Sequence, residues 1–120
     1  MRFARIVFRI AGVYGFLVLL PQYFMEEQIG KDYPPPITHP EHFYGFIGVA
    51  LVWQAAYLLI AQDPVRFRPF MVLAVLAKAS FGGALLVLFF QNRLPGLVLA
   101  FGSIDLLLGA LFFVAWLRLR

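Results

Sequence analysis

The sequence predicts an all-α membrane protein, a bundle of four transmembrane helices with both termini in the cytoplasm. Three observations predict it. Of 120 residues, 62% are hydrophobic and 13% charged, against roughly 45–50% and about 25% in soluble domains. The apolar residues gather in four stretches, each near the 20 or so residues that cross a bilayer core about 30 Å thick. Lysine and arginine are divided unequally between the two ends of those stretches.

The spans fall near residues 6–25, 43–61, 69–91 and 96–117, in one domain covering 1–120 with an outer loop over 26–42. All four are expected to be helices, because backbone in lipid must satisfy its own hydrogen bonds and no alternating ten-residue pattern suggests a barrel. Span one begins with the basic "MRFARIVFRI" of a signal peptide. Its apolar part runs on to Phe24, and Met25-Glu26-Glu27 follows without a small-x-small cleavage pattern, so a retained anchor is expected. Pro21 is expected to bend the helix near the outer face.

The loop "EEQIGKDYPPPITHPEH" is the longest polar segment. Pro34 to Pro36 predict an extended polyproline stretch, and "THPE" reads as a capping box opening span two, with Thr38 at the N-cap and Glu41 three residues on. "QDPVRFRP" and "NRLPG" suit short helical hairpins, and Pro95 opens the last helix. Tyr23, Tyr33 and Tyr44 mark an outer aromatic belt, Phe67 and Trp116 an inner one.

Arg2, Arg5, Arg9, Arg66, Arg68, Arg118 and Arg120 collect on one side and Lys31 and Arg93 on the other; seven against two places both termini in the cytoplasm. The formal charge of +4 and a pI near 9.9 follow from arginines that meet anionic headgroups, so nucleic acid is not a partner. The absence of cysteine removes disulfides, thiol chemistry and Cys-based metal sites.

Two charges interrupt the apolar runs. Lys78 in "AVLAKASFGG" lies roughly 13 Å above the start of span three, and Asp105 in "AFGSIDLLLG" roughly 18 Å from the end of span four. A charge at such depth costs about 2.5–3.5 kcal/mol when uncompensated, so each is expected to face the interior with a partner or water. Gly82, Gly102 and Gly109 share the stripes of these charges and allow close helix approach. A short hairpin joins the two spans, which makes a Lys78–Asp105 ion pair the simplest outcome. A turn near Leu94, however, sets Asp105 opposite Gly83, a slip of about five residues, so the lysine or a water must bridge the gap.

Gln54 and Tyr57 lie on one face of span two, with Trp53 near mid-membrane and Tyr14 on span one; with Ser80 and Ser103 they are candidates to line a small polar cavity, the simpler expectation being ordinary interhelical hydrogen bonds. At the outer mouth, "HPEH" presents His39, Glu41 and His42. Their spacing matches no strong metal motif and Glu41 is assigned to the cap, so no metal site is expected. There is no phosphate-binding glycine loop, no nucleophile elbow and no histidine within a span for haem.

Four short spans, a polar first outer loop and "HPEHFYGFIGVALVWQ" opening span two resemble the small bacterial four-helix membrane proteins loosely grouped as DoxX-like. That group is similar in layout to the emopamil-binding sterol-isomerase fold, in which a bundle of four or five helices encloses an apolar ligand against buried acids. Asp105 is the one comparable acid. Small multidrug exporters are also four-span chains of this size, but their coupling carboxylate lies in the first span, which has no acid here.

The resulting expectation is a bacterial inner-membrane bundle that holds a lipid-like or quinone-like molecule in an intramembrane cavity. An accessory or structural subunit, pairing with another membrane protein or a second copy, is the rival. A third reading is an isomerase or oxidoreductase component with Asp105 as proton acceptor and Lys78 setting its acidity.

Overall fold

The structure, a computed structural model, describes residues 2–119. Met1 and Arg120, the last of the counted basic residues, lie outside the described residues. The described chain is helical with no strand. Its elements are α1 (Arg2–Leu19) continued by a 3-10 turn (Leu20–Phe24), α2 (Glu26–Asp32), α3 (Pro40–Gln62), α4 (Arg68–Phe90) and α5 (Gly96–Arg118). Four helical segments are long and apolar enough to cross a membrane: Arg2–Phe24, Pro40–Gln62, Arg68–Phe90 and Gly96–Arg118. The expected four-span architecture is therefore present.

Each boundary has a local cause. Pro21 sits in the first turn of the 3-10 segment, where α1 stops; a proline removes the N–H that the next α-helical bond needs. The polar loop is not wholly irregular. Its start coils into α2, with Glu26 and Glu27 in the first turn and Lys31 in the last, charges that complement the helix dipole. The proline run is not one extended segment either: residues 33–35 bend and the Pro34–Pro35 peptide is cis.

The capping box is corrected as well. The N-cap of α3 is His39, with no side-chain cap bond, and Pro40 occupies the first helical turn. Proline favours the first helical position and forces its predecessor out of helical geometry, so the start falls one residue later than Thr38 and leaves Glu41 too close to reach back.

Chain order makes two hairpins. The most extensive contacts are between α1 and α3 and between α4 and α5, with α1 against α5 joining the pairs and α3 meeting α4 over a shorter stretch. The α4–α5 turn holds Asn92 at φ 59°, a left-handed conformation that asparagine tolerates better than most residues. Arg118 stacks its guanidinium 4.8 Å from the centre of the Phe3 ring, which places both described chain ends at one end of the bundle. The molecule measures 46 × 29 × 18 Å, and its long axis matches a membrane crossing with polar extensions.

The core between the hairpins is aromatic. Phe8 of α1 stacks on Phe112 of α5 with centroids 4.2 Å apart, and Tyr57 of α3 tilts against Phe112 at 5.0 Å and Phe8 at 6.2 Å. Ala4, Ala11, Ala74 and Ala115 line the same cluster and keep the helices close enough for the rings to meet.

Candidate functional site

Lys78 and Asp105 meet. Lys78 Nζ donates to Asp105 Oδ1 at 3.2 Å, with 8% and 17% of the two side chains exposed. The register expected from the short hairpin also holds. A Cβ added to Gly109 would lie 3.1 Å from Lys78 Cβ, and one on Gly82 would lie 2.5 Å from Leu106 Cγ. Lys78 thus faces Gly109, one turn below Asp105, and the four-carbon lysine stem spans the offset.

The lysine serves a second contact, with Nζ 5.4 Å from the centre of the Tyr57 ring. A cation over an aromatic face gains further stabilisation when desolvated. Trp53 packs one turn from Tyr57, ring centres 6.2 Å apart, at the edge of the core.

Gln54 stands on the α1 side of these groups. It is buried, and its Nε2 donates to the Ala50 carbonyl at 2.9 Å. Its Oε1 has no hydrogen-bond partner among the described residues. The amide fills a notch that Gly15 leaves in α1, where an added Cβ would collide with it, and Gly12 makes room one turn away for Leu58. Asp105, Lys78 and Tyr57 are thus linked in one chain of contacts across three spans, Gln54 stands one turn from Tyr57 on α3, and Tyr14 of α1 packs against the same core.

Ser80 and Ser103 do not join these five. Both are exposed, and the Ser103 hydroxyl donates to the Leu99 carbonyl at 3.1 Å. Each lies two residues, about 200° of helical rotation, from the charge on its own helix. The two best-formed grooves also lie elsewhere. One of about 160 Å³ is lined by Val72, Val75, Leu76, Phe113 and Trp116, the other of about 260 Å³ by Phe16, Leu17, Leu20, Pro21 and Phe24. Neither touches the five polar residues.

Two arginines assigned to headgroups have work inside the fold. Arg5 Nη1 donates to the Gln62 carbonyl at 2.8 Å, and Arg68 Nε to the Trp116 carbonyl at 3.0 Å with its guanidinium 4.5 Å from the Trp116 ring centre. The Gln62 carbonyl is one that the end of α3 leaves open, while the Trp116 carbonyl also accepts from the Leu119 N–H at 3.4 Å. Their sequence signal is only a basic residue in a first turn, which headgroup contact would also produce.

At the other end of the bundle His39, Glu41 and His42 are exposed and adjacent, with one ligand atom from each within 4.8 Å of the others. The chain matches no family model, no curated protein and no solved structure, so the DoxX-like resemblance rests on the residues quoted above.

Proposed function

We propose that this chain is a membrane-resident binding protein for a lipid-like or quinone-like molecule, whose polar head meets the group of Tyr14, Gln54, Tyr57, Lys78 and Asp105. The observation that carries this reading is the Gln54 carbonyl oxygen, buried and unpaired among the described residues. A buried acceptor left open costs about 1–3 kcal/mol, and a scaffold gains nothing by keeping it. A guest hydroxyl, as on a lipid head or a reduced quinone, supplies the missing donor once the amide swings out of the Gly15 notch that it fills. The seven-to-two division of Lys and Arg supports a bacterial inner membrane with both chain ends in the cytoplasm.

A second reading, an accessory subunit, is favoured by the closure of Lys78 on Asp105 at 3.2 Å and by apolar grooves that neither member of the pair lines. A native mass spectrum of protein gently extracted from its own membrane separates the two. A retained small mass that Gln54→Leu abolishes without loss of helicity supports the binding protein. A stoichiometric protein partner supports the subunit, and a bare wild-type monomer sinks the binding reading.

A further inference from the structure

A second group of chemistry-bearing side chains stands at the opening turn of α3, at the opposite end of the bundle from the chain termini. "HPEH" places His39, Glu41 and His42 within four residues. Pro40 stiffens the backbone between them, and the His42 and Phe43 N–H groups both donate to the His39 carbonyl, at 3.0 and 3.1 Å. The turn is therefore built before any ligand arrives.

The three side chains are not spent on the helix. His39, although the N-cap residue, makes no side-chain cap bond, and the Glu41 carboxylate turns to the imidazoles. Glu41 Oε1 is hydrogen-bonded to His39 Nδ1 at 3.2 Å and lies 3.9 Å from His42 Nε2, and one ligand atom from each residue falls within 4.8 Å of the others.

We propose that His39, Glu41 and His42 bind one divalent transition-metal ion of the zinc, nickel or copper class. Two imidazole nitrogens and one carboxylate oxygen are a donor set these ions accept, whereas magnesium and calcium prefer all-oxygen sites. Metal–ligand distances of about 2.0–2.2 Å in a tetrahedron place the ligand atoms about 3.3 Å apart. The His39–Glu41 separation of 3.2 Å already meets that value. The widest separation allowed by the 4.8 Å limit needs about 1.5 Å of closure, well within the swing of side chains that are 65–79% exposed. Three protein ligands leave a fourth position open to water or to a donor from outside. This site is independent of the polar groups between the helices.

The test uses the full chain in detergent micelles, purified with a histidine-free tag and stripped with a chelator, then titrated with Zn²⁺ alone and separately with Co²⁺. Wild type is expected to saturate at one equivalent of zinc, to give visible cobalt absorption bands, and to resist competition by excess Mg²⁺. His42→Ala and Glu41→Gln are each expected to weaken zinc binding by about tenfold or more with helicity unchanged. The proposal is overturned by non-saturating zinc uptake in wild type, or by His39→Ala/His42→Ala binding zinc within about twofold of wild type.

Discussion

Gly109 is the residue against which Lys78 packs: a Cβ at 109 would lie 3.1 Å from Lys78 Cβ. The absent side chain lets the lysine stem run along α5 toward Asp105 one turn away, so a glycine on one helix determines whether a charge on the other finds its partner.

The pair itself is tested by a double-mutant cycle. Lys78→Met strands a partly buried carboxylate and is expected to cost about 3–5 kcal/mol in reversible unfolding from micelles. Adding Asp105→Asn is expected to return a substantial part of that loss, because the second change removes the stranded charge. Strictly additive losses would show that the two groups do not interact.

Neighbouring glycines on α4 are expected to behave in opposite ways. An added Cβ on Gly82 lies 2.5 Å from Leu106 Cγ and 3.1 Å from the Gly102 carbonyl oxygen, while at Gly83 nothing lies within 4 Å. Gly82→Ala should therefore destabilise by about 1–3 kcal/mol, whereas Gly83→Ala should leave stability unchanged or raise it by up to about 1 kcal/mol. Equal effects would refute the α4–α5 register.

The notch at Gly15 makes a prediction about Gln54. Gly15→Ala is expected to displace the amide and lower the unfolding midpoint. In a Gln54→Ala background, where the obstructing amide is gone, the same change should cost less than half as much. Losses of the same size in both backgrounds would place Gln54 outside the notch.

The sidedness read from the arginines is open to chemical labelling, since the chain contains no cysteine. In intact spheroplasts a membrane-impermeant maleimide is expected to label Gln28→Cys and to miss Arg66→Cys until the membrane is opened. The reverse pattern would invert the topology.

The spans were legible because hydropathy and length act over some twenty residues, and errors of one residue do not disturb them. The Lys78–Asp105 pair was legible for a related reason: two charges in adjacent spans joined by a short turn have few other partners within reach. The start of α3 was misread because Thr38 and Glu41 match a capping box by spacing, while Pro40 decides the helix start by geometry. Ser80 and Ser103 were misplaced because depth alone was counted, and helical rotation turns both outward. The Gly15 notch carried a signal, Gly12 and Gly15 three residues apart in span one, but its meaning depends on which helix lies opposite, and that is a tertiary fact.

Both intramembrane charges belong to the second hairpin, whose turn spans only residues 91–95. The charge on Lys78 is therefore answered within its own hairpin, as soon as α5 follows α4. During biosynthesis the two deep charges of that hairpin can partition into lipid as a neutral pair, while Arg68, Arg93 and Arg118 stay at its ends. The first hairpin, delivered earlier by the ribosome, already carries Phe8 and Tyr57, so the arriving second hairpin neutralises its own buried charges and then closes the aromatic core with Phe112.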